Sequence, residues 1–478
     1  MHSRLFYAEA MLPRVLGRMV QKRMLGMCIV VLATTALTFP HARNTFNLAR
    51  AGTAYSAKML CSGVLMAGID ADRLKREELS LAQGLIQTQI DPNRGVVRAW
   101  AFLGLVRSKA IRQGKLGCTQ VISNNNIVSL PDQIRPQPVD QATINLPWKL
   151  SPDASEIPPN IDQTKLEAAI SKAFQESSPS TPKRTRAIVV VQDGWVVAER
   201  YGVGITPTTP LIGWSMTKSL THALIGIAVG NGHLRLHEPL SLPEWQNIND
   251  DRRKITLDHL LRMNSGLRFD ERTEGLDSDL VQMITQEANT GTFASKQPMS
   301  GRMGLDWSYS SGTTNILSRG LRLALNNDHD YWSYPYEALF KPIGMSSALV
   351  ETDASGNFVA SSLGWASARD WARLGLLYLN EGVWDGRQVL PKGWSQHART
   401  PSKGSKKRYG AHWWLSSKRR RPDLPRDSYS AEGYEGQLIL VVPSSKTVIV
   451  RLGQTPDRSS FNPNQFGALV LSALKIEQ

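Results

Sequence analysis

The feature that most constrains the fold is a pair of β-hairpin sequences that lie far apart in the chain. The first joins the apolar runs Ala187–Val191 and Trp195–Ala198 through Asp193-Gly194, and Asp-Gly between apolar runs is a strong hairpin signal. The second joins Leu438–Val442 to Thr447–Val450, and helical sequences lie between the two hairpins. The pattern predicts an α/β (α+β) fold, in which one antiparallel sheet is assembled from both ends of this region around a helical domain.

Changes in composition divide the 478 residues into four predicted parts. A globular domain has roughly 100–200 residues, so the length allows two or three domains. Prolines between residues 131 and 159 indicate a poorly helical connector. The predicted parts are a signal peptide or N-terminal membrane anchor at 1–40, a smaller N-terminal region of unknown role at 41–150, a proline-rich linker with a short helix at 151–184, and the main domain at 185–478.

The apolar segment Met24–Phe39 follows a basic stretch and precedes Pro40. This layout is typical of a signal peptide or an N-terminal anchor, although a comfortable membrane span needs roughly 20 residues. A buried core helix is the alternative. Because basic flanks stay in the cytoplasm, we expect the rest of the chain to be exported, either to the periplasm or anchored outside the cytoplasm through this segment.

The net charge of +15 raises the question of an anionic partner. Besides the N-terminal stretch, basic residues cluster between Lys403 and Arg421. No nucleic-acid-binding module accompanies them, so we interpret this run as solvated loops and expect no nucleic-acid partner.

Only three cysteines occur, and Cys28 lies in the apolar segment. Two cysteines in an exported chain are readily explained by one disulfide, so we expect Cys61 to pair with Cys118. Two buried free thiols are the alternative.

Four further elements are predicted outside the hairpins. The sequence favours a helix over Asp72–Gln83, a strand over Val96–Val106 and a final helix over Gln465–Ile476. Thr164–Glu167 reads as a capping box, and it precedes residues that share one helical face: Leu166, Ala169, Ile170, Ala173 and Phe174.

A candidate nucleophile and its base lie three residues apart, at Ser215 and Lys218. The run from Ser215 to Val229 predicts a helix, on which residues three apart share a face. A serine hydroxyl needs a base to become nucleophilic, and a lysine can serve if desolvation lowers its pKa. A capped surface helix is the plainer alternative. A Gly-x-Ser-x-Gly elbow is disfavoured, because Thr217 occupies its last position.

Two later segments add to this pair. Tyr309 and Ser311 lie in a polar loop ahead of a helical run that starts near Ile316, and a tyrosine can shuttle a proton if a lysine cation stabilises its phenolate. The segment Glu432–Gln437 leads into a strand, where a free backbone N–H could complete an oxyanion hole with that of Ser215. A packed turn and a plain glycine-rich turn are the alternatives.

Together, in this order, the three segments resemble the serine β-lactamase and penicillin-binding protein superfamily, whose signature is Ser-x-x-Lys, then Tyr-x-Asn, then Lys-Thr-Gly. The segments Ile255–Leu267 and Trp365–Asn380 are also similar to that family. The motifs look closest to the branch of 6-aminohexanoate-dimer hydrolases and esterases. The resemblance extends from about Arg186 to the C-terminus.

The resemblance implies a serine hydrolase that cleaves an amide or ester bond of a small molecule through an acyl-enzyme, without a metal or cofactor. Ser215, Lys218 and Tyr309 would be catalytic, and the N–H groups of Ser215 and Gln437 would hold the oxyanion. The substrate would contact four further residues: Ser311, Tyr434, Glu435 and Gly436.

Two departures from the signature bear on specificity. Ser311 stands where β-lactamases have asparagine, and Tyr434-Glu435-Gly436 stands where they have Lys-Thr-Gly. Losing that lysine disfavours β-lactamase or D-Ala-D-Ala peptidase activity, unless Lys406, Lys407 or Arg408 replaces its charge. No acidic residue is identified in the place of the class A deacylation glutamate. A catalytically idle binding protein on the same fold is the alternative from another class.

Overall fold

The computed structural model describes residues 40–122, 128, 130, 148–154, 161–176, 178–273 and 277–474. The predicted signal peptide or anchor at Met24–Phe39 lies outside the described residues. Within these ranges, none of the helices combines the length and apolar character that a membrane span requires.

The N-terminal region is a long helix packed on a small antiparallel sheet. Helix α1 continues into a π-helical turn, and the strands pair in the order β1-β2-β3-β4. Their inward-facing side chains are small, which lets α1 approach closely. The elements are α1 (Pro40–Leu60), α2 (Ala71–Glu77), β1 (Gln87–Asp91), β2 (Val96–Ala101), β3 (Val106–Arg112) and β4 (Cys118–Val121).

Two local predictions in this region need correction. The helix predicted over Asp72–Gln83 ends at Glu77, and a separate 3-10 turn occupies Ser80–Ala82. The strand predicted over Val96–Val106 is broken at residues 102–104 by a tight turn, so it forms two strands of a hairpin.

The chain then enters the main sheet through β5 (Trp148–Lys149), α3 (Gln163–Phe174), β6 (Thr185–Gln192) and β7 (Trp195–Tyr201). The predicted apolar face of α3 is buried at Leu166, Ala169, Ile170 and Ala173. The predicted capping box is wrong, because the side chain of Asp162 caps the helix two residues earlier by accepting from the Lys165 N–H at 3.0 Å.

A mostly helical insertion follows β7. Its strands are β8 (Leu211–Ile212), β9 (Leu349–Val350), β10 (Gly364–Ala366), β11 (Val383–Trp384) and β12 (Arg387–Gln388). Its helices are α4 (Met216–Gly230), α5 (Leu257–Leu261), α6 (Asp279–Gln286), α7 (Thr290–Ser295), α8 (Ser311–Leu325), α9 (Asp328–Tyr334), α10 (Ala368–Leu379) and α11 (Trp394–Arg399).

The chain returns to the sheet through β13 (Trp414–Leu415), β14 (Tyr429–Gly433), β15 (Gln437–Val442) and β16 (Thr447–Gly453), and ends in α12 (Pro463–Ala473). The sheet has the order β13-β14-β15-β16-β6-β7-β5, and every printed pairing is antiparallel. The prediction of one antiparallel sheet built from both ends of this region is therefore confirmed.

Helices cover both faces of this sheet. On one face Val189, Val191 and Val448 join the large core that includes α4 and α10. On the other face, alternate residues such as Ile188 and Val190 pack against α3 and α12. Residues two apart in a strand face the same side. This alternation places α4, with Ser215 at its start, on the face of the sheet that packs against the large core.

The N-terminal region shares the large core with the rest of the chain, since Leu60 and Val97 belong to the same cluster as residues of α4 and α10. Cys61 and Cys118 form a disulfide between the π-helical turn and β4. The four-part division of the chain stays a prediction, but the described contacts are those of one packed unit.

A buried carboxylate joins the N-terminal region to the insertion. The Glu351 side chain is fully buried, forms an ion pair with Lys58 and accepts hydrogen bonds from the Ser62 hydroxyl at 2.7 Å, the Cys118 N–H at 2.7 Å and the Trp365 indole at 2.8 Å. A buried charge is tolerated when it is paired and hydrogen-bonded. We call Lys58, Ser62, Cys118 and Glu351 the N-terminal seam.

Candidate active site

The turn before α4 places Ser215 at the helix start. Trp214 has φ +46°, in the left-handed region, and Ser215 is the N-cap residue. Gly213 fits because a Cβ there would lie 2.4 Å from the Trp371 ring. The N–H of Ser215 has no acceptor among the described residues. The serine therefore projects from a constrained turn with its own amide available to a ligand.

Lys218 lies beneath the serine, one helical turn on. Its Nζ atom donates to Ser215 Oγ at 3.1 Å, to Ser311 Oγ at 2.9 Å and to the Ser361 carbonyl at 3.0 Å. The side chain is 1% exposed. Burial lowers the pKa of Lys218 to about 8, while the negative charge of Glu271 acts to raise it. A substantial neutral fraction near pH 8 makes this amine a suitable general base.

Tyr309 completes the group around the serine hydroxyl. Ser215 lies close enough to the Tyr309 phenol to lower its pKa, and Lys218 Nζ lies 4.9 Å from the Tyr309 ring centroid, over the face of the ring. Burial and the charge of Glu271 raise the pKa of Tyr309 above its ordinary value. The expectation of a lysine-stabilised phenolate therefore lacks support, because a tyrosine in these surroundings stays a phenol.

Ser311 is not in the loop where the sequence predicted it. Helix α8 begins at Ser311, five residues before Ile316, because Ser310 caps it. Ser311 is 1% exposed, and its hydroxyl accepts a hydrogen bond from Lys218 Nζ. The described contacts give Ser311 the role of holding Lys218, and its contact with a substrate stays a prediction.

Glu271 is the residue that sequence reasoning missed. Its carboxylate accepts from the Ser311 N–H at 2.7 Å and from the Ser311 hydroxyl at 2.5 Å, so one hydroxyl separates it from Lys218. Burial raises the pKa of Glu271, while the Lys218 charge opposes that rise. Its only sequence signal is that an acidic pair, Asp270-Glu271, follows the family-like segment ending at Leu267.

The third motif is a turn between β14 and β15. A Cβ at Gly433 would lie 2.1 Å from the Gly213 carbonyl oxygen, so β14 runs directly beside the nucleophile turn. Gln437 begins β15, and its side chain bonds the backbone of Gly453 in β16. Because β14 lies beside the nucleophile turn, a backbone N–H of β14 is a second candidate for the oxyanion donor. The Gln437 N–H stays the sequence prediction for that role.

The three residues of that turn differ in orientation. Tyr434 is 40% exposed and meets the Trp214 ring edge-on at 6.0 Å. Glu435 turns inward at φ +60° and accepts from Gln454 at 3.0 Å. Gly436 has φ +82°, and a Cβ there would lie 2.7 Å from Arg451. Tyr434 and Glu435 both interact with Trp214 in the nucleophile turn. Contact of Tyr434, Glu435 and Gly436 with a substrate stays a prediction.

Burial raises the pKa of Glu435 to about 7, and nearby Glu78 adds to the rise. The carboxyl is therefore about half protonated near neutral pH.

Aromatic rings form one wall of the site, which we call the aromatic wall: Trp307, Tyr309, Tyr409 and Trp414. The Trp414 ring stacks on Tyr309 at 5.3 Å. Arg408 lies 4.8 Å from the centroid of Trp307, and Arg420 lies 4.6 Å from that of Trp414. Arg420 is also paired with Glu432, at 2.5 Å. The wall is apolar with two cations on its outer side.

Comparison with known proteins agrees with this geometry. A family model described as beta-lactamase matches residues 181–472, more than half of the chain, so the protein belongs to the beta-lactamase family. A 6-aminohexanoate-dimer hydrolase from Paenarthrobacter ureafaciens is 24% identical over 306 residues, which cover 57% of this chain and 73% of that enzyme.

Two solved structures share the fold. A family VIII carboxylesterase is 14% identical, with a TM-score of 0.53 over 67% of this chain and 98% of its own. A hydrolase with promiscuous acyltransferase activity is 12% identical, with a TM-score of 0.52 over 66% of this chain and 98% of its own. The chain thus belongs to the beta-lactamase family and shares its fold with these two hydrolases.

Proposed function

We propose that this chain is an exported serine hydrolase that cleaves an amide or ester bond through an acyl-enzyme on Ser215. The observation that carries the proposal is the 3.1 Å contact between Lys218 Nζ and Ser215 Oγ, made by a buried amine that has no carboxylate partner of its own among the described residues. Because desolvation lowers the pKa of Lys218 to about 8, the amine can accept a proton near neutral pH.

In the first half-reaction, Lys218 takes the proton of Ser215 as Oγ bonds to the substrate carbonyl carbon. The carbonyl π electrons move to oxygen, and the Ser215 N–H with a backbone N–H of β14 stabilises the oxyanion. The oxyanion then re-forms the carbonyl and expels the amine or alcohol. Tyr309, a phenol within hydrogen-bond reach of Ser215, donates the proton that the leaving group needs and recovers one from Lys218.

In the second half-reaction a water attacks the acyl-enzyme, and Lys218 accepts its proton. The tetrahedral intermediate collapses, Ser215 Oγ leaves with a proton from Lys218, and the carboxylic acid is released. Glu271 acts through Ser311 and holds the lysine, since its carboxylate does not contact Lys218 directly.

The substrate class that the site suits best is a short-chain acyl ester or a linear amide. Esters have good leaving groups, so an activated serine and an oxyanion hole suffice for them. A β-lactam also carries a carboxylate that must be positioned, and positioning is a large part of rate enhancement. Of the two cations at the aromatic wall, Arg420 is already paired with Glu432, so little free positive charge is left for that task.

One observation favours the second candidate, a β-lactamase or cell-wall D-Ala-D-Ala peptidase. Arg408 lies over Trp307 and could replace the missing lysine of the third motif. If it does, Arg408→Ala should abolish nitrocefin hydrolysis while leaving ester hydrolysis within about fivefold, since a lost surface charge is worth at most about 1 kcal/mol.

Export is supported by two independent features. The disulfide between Cys61 and Cys118 is of a kind that persists in oxidising compartments, and an apolar segment lies at Met24–Phe39. Peptide mapping without reductant, on protein from the exported fraction, should recover the 61–118 linked pair. Two free thiols in that fraction would contradict the proposal of export.

The function is tested by a fluorophosphonate probe followed by a substrate panel. A serine hydrolase is labelled at Ser215, whereas an idle binding protein on the same fold is not. The panel contains p-nitrophenyl esters of short acids, the linear dimer of 6-aminohexanoate and nitrocefin. We expect ester or linear-amide turnover and little or no nitrocefin turnover. Efficient nitrocefin hydrolysis would instead establish the second candidate.

A further inference from the structure

The hairpin between β2 and β3 ends in apolar side chains that the described residues leave largely exposed. Leu103 is 85% exposed, Leu105 56% and Phe102 44%, and Leu85 in the loop before β1 is 73% exposed. We call these four residues the apolar tip. Contiguous exposed apolar side chains of this size mark an interaction surface more often than a folding requirement.

The turn between β2 and β3 has bulky residues at positions where the backbone is left-handed. Phe102 and Leu103 have φ +49° and +54°, a region that bulky side chains rarely adopt and that glycine or asparagine tolerate. Placing a phenylalanine and a leucine there keeps apolar groups at the extreme end of the hairpin. Such strain points to a use for those side chains outside the fold.

The outer face of the same hairpin is basic. Arg98 is directly opposite Lys109, and Trp100 directly opposite Arg107, in the β2–β3 register. These four side chains line a shallow pocket with a volume of about 780 Å³. None of the three cations forms a salt bridge with a described residue. Like charges opposite each other in a sheet destabilise it unless an anion compensates, so this basic face lacks its counter-charge.

The apolar tip packs against the start of α1, the helix that follows the predicted membrane segment in the sequence. The Phe46 ring, near the start of α1, contacts the Phe102 ring at 5.6 Å, and Ala49 packs with Ala101 and Val106. Helix α1 begins at Pro40, directly after the apolar segment Met24–Phe39. The apolar tip is therefore next to the helix that follows that segment in the sequence.

We propose that the apolar tip inserts into the surface of an anionic phospholipid bilayer, with the basic face of the hairpin against the headgroups. Apolar side chains beside basic residues and a tryptophan are the composition that binds such an interface. The tip would hold the N-terminal region at the membrane and fix the orientation of the hydrolase above it. This inference concerns the N-terminal region and holds whether or not Ser215 is the nucleophile.

The test places an environment-sensitive fluorophore at the tip of the full-length chain. Leu103→Cys is labelled in a Cys28→Ser background, which leaves the Cys61–Cys118 disulfide intact. The matched control is Ile248→Cys, because Ile248 is also a strongly exposed aliphatic residue, 68% exposed, but lies in the helical insertion. Each protein is mixed with vesicles of phosphatidylcholine alone or of phosphatidylcholine and phosphatidylglycerol in equal parts, with and without a lipid-borne quencher.

We expect the label at 103 to shift to shorter wavelength and to be quenched severalfold more than the label at 248, and only with phosphatidylglycerol present. Adding Arg98→Glu and Lys109→Glu should abolish that difference. A water-exposed label at 103 in vesicle-bound protein, or the same response on phosphatidylcholine alone, would overturn the proposal. Shielding of the label that depends on protein concentration in the absence of vesicles would assign the tip to a second copy of the chain and would overturn it as well.

Discussion

Two lysines are buried among the described residues, and they differ in whether a carboxylate contacts the amine directly. Lys58, in the N-terminal seam, is ion-paired with Glu351. Lys218, in the active site, contacts two serine hydroxyls and a carbonyl, and its nearest carboxylate, Glu271, is one hydroxyl away. Burial lowers the pKa of both amines, but at Lys58 the direct carboxylate opposes the shift through charge and hydrogen bonding.

The comparison shows that burial alone does not make a base. A directly paired ammonium stays protonated, because losing its proton would leave the carboxylate without a partner. An ammonium among neutral acceptors loses its proton more easily and can then accept one from a serine. The account therefore predicts that disturbing the active site changes rate without stability, and that disturbing the N-terminal seam changes stability without rate per folded molecule.

The largest expected effect is at the nucleophile. Ser215→Ala should reduce kcat/KM for the best ester by a factor on the order of 10⁴ or more, because the covalent route is lost. The melting temperature should stay within a few degrees of the parent, since one partly exposed hydroxyl is removed. Activity within about tenfold of the parent would exclude Ser215 as the nucleophile.

The next effect separates the two lysines directly. Lys218→Met should lower kcat/KM by about 10²–10⁴, the usual contribution of a general base. Its loss of stability should be smaller than that of Lys58→Met, because no carboxylate contacts Lys218 directly. Lys58→Met should leave kcat/KM per folded molecule nearly unchanged. Kinetics of both variants, with the folded fraction of each taken from its urea denaturation curve, check this. Equal loss of activity in the two variants would break the comparison.

At the N-terminal seam the effect is on stability. Lys58→Met leaves the Glu351 carboxylate buried with its ion-pair partner gone, which should cost about 3–5 kcal/mol of unfolding free energy. The double variant Lys58→Met with Glu351→Gln should recover part of that loss, because no uncompensated charge remains. If the double variant is less stable than the single one by a further several kcal/mol, the ion pair is not the source of the loss.

The smallest effect is a shift in pH dependence. The charge of Glu271 raises the pKa of Lys218, so Glu271→Gln should lower it and move the rise of kcat/KM to lower pH. The sign follows because the neutral amine is the active form, and its fraction grows as pH passes the pKa. Glu435→Gln is the matched control, since Glu435 is also a buried carboxyl but points to Gln454. An unshifted profile in Glu271→Gln would remove Glu271 from the account.

The features that the sequence predicted correctly depend on residues close together in the chain, and those that it missed depend on residues far apart. Ser215 and Lys218 are three residues apart on one helix, so their contact follows from helical geometry alone. Both hairpins were signalled by short turns between apolar runs. These features depend on neighbours in the chain, and they were correct.

The failures depend on folding across long distances or on single backbone angles. Glu271 reaches Ser311, and through it Lys218, only because the loop after α5 packs on the start of α8. Ser311 was expected in a loop because Ser310 was not recognised as a helix cap. The φ of +60° at Glu435, a residue whose carboxylate accepts from Gln454, has no sequence signal at a residue other than glycine.

The central claim is that Ser215 is activated by a neutral Lys218, and the rate of fluorophosphonate labelling as a function of pH tests it most directly. The account predicts a single site of modification at Ser215, found by peptide mass mapping, with a rate that rises with pH and reaches half its maximum near pH 8, the pKa of about 8 that burial gives Lys218. Labelling of another residue, or a rate at Ser215 that does not change between mildly acidic and mildly alkaline pH, would contradict it.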